Sequence, residues 1–252
     1  MLSIVVPTFN EAENVGNLAN QIDYALRGIP YEIIFVDDSR DDTPYVIEEL
    51  ARQDDRIRLF HRENETGLAT AVLKGFSLAE GDYIAVMDAD LQHPPTILKP
   101  MYLALEYGAE ICIPSRFIPG GSDGGLGPYR KLVSWVARYI GKASLTCLRK
   151  ISDPTSGLFM FRREVIDGAR LDPIGWKIMI EVLAMGHYTR VIEIPYKFQA
   201  RPAGESKLSS KVTLEYLKQV RGLRRTAPHH QRTQVVRFTN ERIKALEREY
   251  GI

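Results

Sequence analysis

The sequence predicts an α/β fold with a mainly parallel central sheet and helices on both faces. Three observations carry that expectation. Short apolar runs alternate with helix-like segments of ten or more residues through the first half of the chain, the pattern of βαβ crossovers. The runs are continuous rather than alternating in polarity, as in strands covered on both faces. Three of them stop abruptly in polar or acidic sets: Pro7 to Glu11, Asp37-Asp38-Ser39, and Asp88 to Gln92. In open α/β sheets ligands bind beyond the carboxyl ends of strands, so function is read from those three endings. The length, 252 residues, allows one large domain or two small ones.

Leu2 to Pro7 reads as the first strand, ended by proline, with Thr8 or Asn10 placed to cap a helix from about Ala12 to Leu26. Tyr31 to Asp38 is a second strand ending in acids, and Asp41 or Asp42 then caps a helix through Gln53. Arg56 to His61 reads as a third strand and Gly67 to Ala79 as a helix. The run Tyr83 to Met87 is a fourth strand that Pro94-Pro95 forbids from continuing, followed by a helix and a fifth strand at Ala109 to Pro114. A glycine-rich stretch, Gly120 to Gly127, is either a lid or a plain surface loop. A helix from Pro128 reaches about Arg149. Its apolar positions Leu132, Trp135, Val136, Tyr139, Ile140, Ala143 and Cys147 keep helical spacing. A turn-rich segment, Ser152 to Gly157, precedes the apolar Leu158 to Phe161, and the tail from Thr226 reads as a polar loop and one charged helix.

Composition excludes several classes. Lys+Arg 33 against Asp+Glu 32 leaves a net charge of +1, so no nucleic-acid partner is expected. Cys112 and Cys147 are too few for a disulfide framework and lack metal-ligand spacing, which suits a reducing compartment. Met1 leads directly into a strand, so no signal peptide is expected, and no uncharged apolar run approaches transmembrane length. There is no G-x-G-x-x-G after the first strand and no Walker lysine loop, against a dinucleotide enzyme and a P-loop ATPase.

The fourth strand's ending, Asp88-Ala89-Asp90-Leu91-Gln92, offers two carboxylates and an amide. These are hard oxygen ligands suited to Mg²⁺ or Mn²⁺. Residues two apart on a regular strand lie roughly 6.6 Å apart. Two oxygens on one Mg²⁺ can be no more than about 4.2 Å apart. Asp88 and Asp90 therefore both chelate only if the chain turns at Ala89. Otherwise Asp90 and Gln92 hold the ion and Asp88 meets another part of the ligand. A solvated acidic turn is the bland alternative. With a carboxylate at the second strand's end to meet a ribose or a base edge, the pattern suggests a nucleoside diphosphate.

The segments Ile4 to Glu11, Val36-Asp37-Asp38-Ser39, Gly67 to Ala71 and Met87 to Pro94 together resemble the family-two inverting glycosyltransferases. Among these the chain is most similar to the dolichol-phosphate mannose synthases and their polyprenyl-phosphate relatives. The resemblance implies a Rossmann-like nucleotide-diphospho-sugar transferase fold of GT-A type and a GDP-mannose donor. It implies that Pro7, Phe9, Glu11, Val36 and Asp38 line the guanosine pocket, and that Asp88, Ala89, Asp90 and Gln92 hold metal and diphosphate. Many members carry tyrosine at position 9; Phe9 keeps the stacking face and loses the hydroxyl. Trp176 to Glu181 resembles the family's helix ending in a glutamate. Gln199 to Leu208 resembles a loop that closes over the donor, in which Arg201 and Lys207 contact the diphosphate.

A phosphate acceptor, with a second pKa near 6, is ionised at neutral pH and needs positioning rather than a general base. Arg116 and Arg130, with Ser134 nearby, are the candidates for that role, since guanidinium grips phosphate as a fork; Arg116 is also counted with the donor-binding residues. Asp90, Arg116, Arg130, Arg201 and Lys207 form the expected catalytic set. The chain is expected to divide into a catalytic domain, 1–210, and a basic helical extension, 211–252. The helix from Pro128 and the stretch Lys211 to Arg225 suggest peripheral attachment to the cytoplasmic face of a membrane, with a separate anchoring protein as a possible partner. The rival readings are a UDP-sugar polyprenyl-phosphate transferase, a catalytically silent nucleotide-sugar binder, and transfer to a glycan hydroxyl with Glu181 as base.

Overall fold

The computed structural model describes residues 1–124, 128–199, 210–228 and 233–251, with the backbone alone at 128–133 and 210–213. Among these residues eight strands form one sheet: β1 (Leu2–Thr8), β2 (Tyr31–Asp37), β3 (Ile57–His61), β4 (Tyr83–Val86), β5 (Ile111–Ser115), β6 (Phe159–Arg162), β7 (Arg190–Pro195) and β8 (Gln234–Arg237). Their order is β3-β2-β1-β4-β6-β5-β7-β8, and every pairing is parallel except those of β6, which runs antiparallel to both neighbours. The helices are α1 (Ala12–Ala25), α2 (Thr43–Gln53), α3 (Leu68–Leu78), α4 (Leu98–Glu106), α5 (Pro128–Ser144), α6 (Ile178–Met185), α7 (Ser210–Thr226) and α8 (Asn240–Tyr250).

The continuous apolar runs are explained by cover on both faces. Along β1 and β2, Ile4, Val6, Ile33 and Phe35 face one apolar cluster and Val5, Ile34 and Val36 face another. The first cluster takes Val15, Leu18 and Ile22 from α1, Leu98 and Met101 from α4, and Ile243 and Leu246 from α8. The second takes Val72 and Phe76 from α3, Val182 and Leu183 from α6, and Val220 and Leu223 from α7. Gly75 of α3 crosses β1 at Val5 with no room for a Cβ. The expected three-layer α/β architecture is what the chain adopts.

Several local expectations are corrected. Thr8 and Asn10 do not cap α1: the Thr8 hydroxyl donates to Asp37 at 2.7 Å, and Asn10 sits at φ 57, where its side chain accepts from the Arg40 amide. Helix α5 ends at Ser144, and a separate 3-10 turn covers Thr146–Leu148. Glu181 lies in the first turn of α6, not at its end. The tail contains a strand as well as a charged helix, because β8 pairs with β7. Strand β7 interrupts its apolar run with Glu193, whose carboxylate is nonetheless buried, accepting from the Ser152 amide at 2.6 Å and from Arg237 at 3.2 Å.

Leu246 is 1 % exposed and belongs to the first apolar cluster. Leu246→Ala is therefore expected to lower unfolding free energy by about 2–5 kcal/mol, read from the denaturant midpoint. A loss under 1 kcal/mol would mean that α8 contributes little to the core.

Candidate functional site

The carboxyl ends of β1, β2 and β3 meet in a buried polar network. The Asp37 carboxylate, fully buried, accepts from the Thr8 and Ser39 hydroxyls at 2.7 and 2.5 Å and lies 2.7 Å from His61 Nδ1. The Ser39 hydroxyl accepts from the Asn10 amide, tying the turn after β1 to the turn after β2. Beside it, Arg62 grips Asp38 with two bonds of 2.6 Å, and Asp38 Oδ2 also accepts from the Gly67 amide at 2.9 Å. The rest of the guanidinium is spent on Glu65, Thr70 Oγ1 and the Gly67 carbonyl, so its five N–H groups are all engaged. Gly67 holds φ 134, a conformation open to glycine, which lets its amide reach the carboxylate. Phe9 is 42 % exposed at the same rim, and the Glu11 amide donates to Thr43 Oγ1. Val36 and Pro7 are buried neighbours in register, so Val36 offers a ligand its backbone rather than its side chain.

Strand β4 stops at Val86, before the acids. The chain turns from Ala89 to His93, with Leu91 at φ 58, and Asp90 Oδ1 accepts from the Gln92 amide at 3.0 Å. The extended-strand spacing therefore does not apply to Asp88 and Asp90. The Gln199 amide donates to the Gln92 carbonyl at 2.9 Å, and the Gln92 side-chain nitrogen donates back to the Gln199 carbonyl at 3.4 Å, which directs the side-chain oxygen elsewhere. The Asp88 side chain is 38 % exposed, with His93 Nε2 3.9 Å from its Oδ2. Gly157 adjoins both: a Cβ there would fall 2.5 Å from Asp88 Oδ2 and 3.3 Å from His93 Nε2. His93 is buried against Tyr196 and Phe198, at 5.6 and 5.3 Å between ring centroids, and burial pushes its pKa down to about 4.

Among the described residues no three His, Cys, Asp or Glu side chains converge as a metal cage. What the turn offers is a partial oxygen set from Asp88, Asp90 and Gln92. A hard cation accepts such a set when a ligand's diphosphate supplies further oxygens.

Arg116 follows β5. Its Nε and Nη2 donate to Asp153 at 2.7 and 2.9 Å, and its guanidinium lies 5.1 and 5.5 Å from the Phe117 and Phe198 rings. Asp153 is fully buried in the turn before β6, and Arg138 of α5 covers the other reach of Phe117 at 4.2 Å. Ser134 lies one turn before Arg138 on α5 and is half-buried. Lys177, at the start of α6, donates to the Thr155 carbonyl at 2.9 Å, and burial first, then the nearby Arg116 charge, push its pKa down. Glu181 is buried, accepting from the Asp172 amide and Gln219, so it serves the packing of α6 on α7. The Arg130 side chain lies outside the described residues, as do Arg201 and Lys207. Of Gly120 to Gly127, residues up to 124 are described, and Ser122 is bridged to Lys197 beside β7. Sequence reasoning missed Arg62, Asp153 and Lys177. Arg62 alone had a usable signal, standing directly after a strand at the ligand-binding edge.

The profile of glycosyl transferase family 2 matches residues 3–168, more than half of the chain. The dolichol-phosphate mannosyltransferase of Pyrococcus furiosus is 42% identical over 219 residues, covering 87% of this chain and 62% of that protein. The chain thus spans less than two thirds of that relative's length. The dolichol-phosphate mannosyltransferase of Saccharomyces cerevisiae is 36% identical over 88% of this chain and 86% of that protein. The polyprenol monophosphomannose synthase of Mycolicibacterium smegmatis is 35% identical over 82% of this chain and 80% of that one. Among solved structures, glucosyl-3-phosphoglycerate synthase from Mycobacterium tuberculosis, in complex with Mn²⁺, UDP-glucose and phosphoglyceric acid, superposes with a TM-score of 0.65. At 18% identity, over 91% of this chain and 81% of that one, it shares the fold.

Arg62 and Asp38 are 3% and 6% exposed at the side chain. Arg62→Ala strands a buried carboxylate and is expected to cost about 3–5 kcal/mol in chemical unfolding. Arg62→Ala and Asp38→Asn together should cost less than the sum of the two separately; strict additivity would show that the pair is not coupled.

Proposed function

We propose that this chain, which belongs to glycosyl transferase family 2, transfers mannose from GDP-mannose to dolichyl or another polyprenyl phosphate with inversion at the anomeric carbon. The observation that carries the reading is the convergence of the Asp88–Gln92 turn and the Arg116–Asp153 clamp at one edge of the sheet, in a chain 42% identical to a dolichol-phosphate mannosyltransferase.

The nucleoside end favours guanine. Asp38, with Arg62 and Gly67 on three of its acceptor positions, and Glu11, whose Oε2 accepts from Asn14, bring carboxylates to the rim, while every N–H of the adjacent Arg62 is already engaged. Guanine presents N–H donors at N1 and N2 to such a surface. Uracil presents two carbonyls around a single N–H and would meet acceptors with acceptors. Phe9 supplies an exposed face for stacking.

Asp88, Asp90 and Gln92 would hold Mg²⁺ or Mn²⁺, whose charge offsets that of the departing diphosphate. Arg201 and Lys207 are proposed as further diphosphate contacts. An acceptor phosphate oxygen attacks the anomeric carbon as the bond from that carbon to the diphosphate oxygen breaks, and GDP departs with the electron pair. No proton leaves the nucleophile, which agrees with Glu181 being spent on packing. Arg116, already oriented by Asp153, keeps Nη1 available to a phosphate, with Arg130 and Ser134 as proposed partners.

The lipid acceptor also accounts for an unusual surface. Trp135 and Tyr139 of α5 stack 5.7 Å apart while 54% and 65% exposed. Leu214 and Leu217 of α7 are exposed too, next to exposed Lys218, Arg221, Arg224 and Arg225. Aromatic side chains at headgroup level and cations facing an anionic leaflet would hold the protein reversibly at the cytoplasmic face. No helix among the described residues is long and apolar enough to cross a membrane.

With a polyprenyl phosphate and Mn²⁺, lipid-linked sugar is expected from GDP-mannose at no less than about tenfold the rate from UDP-glucose or UDP-N-acetylglucosamine, the factor one lost hydrogen-bonded contact carries. Faster turnover of a UDP-sugar would overturn the donor assignment, and no lipid product from any donor would overturn the activity. Asp90→Asn should lower turnover by roughly 10²–10³, the scale for loss of one charge-stabilising group. Chelation should abolish product and Mn²⁺ restore it. Gly157→Ala should reduce activity through displacement of Asp88 while leaving the melting temperature within a few degrees.

A further inference from the structure

The turn Asp153 to Gly157 does three things within five residues. Asp153 holds Arg116 as a fork, Gly157 packs against Asp88, and the Thr155 carbonyl between them accepts from Lys177 Nζ at 2.9 Å. The ammonium is thereby fixed between the Asp88 end of the site and the Arg116 end. Its backbone is fixed as well: Gly175, at φ 75, turns the chain into α6, and the Lys177 carbonyl accepts from Gln219 on α7.

Anchoring the turn does not explain a lysine. The Glu193 carboxylate already holds the Ser152 and Asp153 amides, and the Ser156 hydroxyl bonds the Leu158 carbonyl. One carbonyl takes one of three ammonium N–H groups, and a neutral donor would serve it without bringing a second cation close to Arg116. Among the described residues Lys177 makes no ion pair, whereas Arg116 has Asp153 and Arg62 has Asp38. Asp88 and Asp153 lie near enough to favour the ammonium, but neither is at ion-pair distance, and a partly buried cation so placed beside another cation is arranged for an anion brought by a ligand.

We infer that Lys177 is a phosphate ligand, completing with Arg116 a two-cation cradle for the nucleophilic phosphate of the acceptor. The inference rests on the proposed lipid-phosphate acceptor and adds a residue to it. The fork of Arg116 fixes the phosphate's orientation, and Lys177, a compact charge on a flexible stem, offsets its repulsion from the donor diphosphate.

The test compares wild type, Lys177→Met and Lys177→Arg in steady-state transfer from GDP-mannose to a polyprenyl phosphate, alongside calorimetric titration with citronellyl phosphate and with GDP plus Mn²⁺. Lys177→Met should raise KM for the lipid phosphate by about 10–100-fold, the range for a hydrogen bond to a charged group. It should weaken citronellyl phosphate binding equally and leave KM for GDP-mannose and the affinity for GDP plus Mn²⁺ within twofold. Lys177→Arg should recover part of the loss. If the loss falls on GDP-mannose and GDP instead, the lysine serves the donor diphosphate and the acceptor assignment is overturned. If neither affinity moves, or both fall with the melting temperature and Lys177→Arg recovers neither, the lysine is a structural strut and the inference fails. Should wild type bind citronellyl phosphate in a Lys177-dependent way yet form no mannosyl lipid, the proposed reaction fails while the phosphate site stands.

Discussion

The site depends on one reversal of direction. Strand β6 is inserted antiparallel between β4 and β5, with Phe159 at its start paired to Val86 at the end of β4. In a sheet that is otherwise parallel, this brings the beginning of a strand to the edge where all others finish. The turn that leads into β6 therefore arrives beside Asp88 and Arg116. A parallel strand at this position would have sent its preceding loop to the far edge, about 13 Å away for a four-residue strand. Asp153, Thr155 and Gly157 serve the site because of that single inversion.

Charged groups at this edge fall into two kinds. Asp37, Asp38 and Asp153 have protein partners at 2.5 to 2.9 Å and are nearly or wholly buried. These pairs set shape: they lock the turns after β1 and β2 together and orient Arg116. Asp88 and Lys177 are more open: the Asp88 side chain is 38% exposed, and Lys177, half-buried, makes no ion pair among the described residues. The first kind yields a rigid scaffold whose charge is neutralised within the protein, Asp38 alone keeping one acceptor position beyond those taken by Arg62 and Gly67. Of the second kind, Lys177 keeps charge in reserve for a ligand, which is how a preorganised site avoids reorganising during reaction.

Much of this was legible in the sequence, for physical reasons that also explain what was not. Buried parallel strands must be apolar on both faces, so β1, β2 and β4 announced themselves, and acids at their ends marked the functional edge. Strands β7 and β8 were overlooked because each carries charge: Glu193 in β7 is neutralised by Arg237 and two amides from elsewhere, and β8 is short and lies at the sheet's edge. The contribution of Asp153 was hidden because a buried acid in a turn looks like any turn aspartate until Arg116 is folded against it. Strand spacing left Asp88 and Asp90 two arrangements, an extended one and one with a turn at Ala89, and the chain takes the second. The ladder ends at Val86, and the turn at Ala89 removes the constraint.

Helices α5 and α7 are locked face to face. Tyr216 of α7 donates to the Ala137 carbonyl of α5 at 2.5 Å, and a Cβ on Gly141 would fall 2.6 Å from the same hydroxyl. Tryptophan, tyrosine and leucine side chains turned outward and the arginine-bearing face turned toward Phe117 thus belong to one stiff block. On the proposed reading that block works as a depth gauge. How far the aromatic pair sinks into the headgroups would set the height above the leaflet at which a phosphate can be reached. Lipids whose phosphate rides at another height would be passed over by geometry, before any chemical recognition of the chain that carries it.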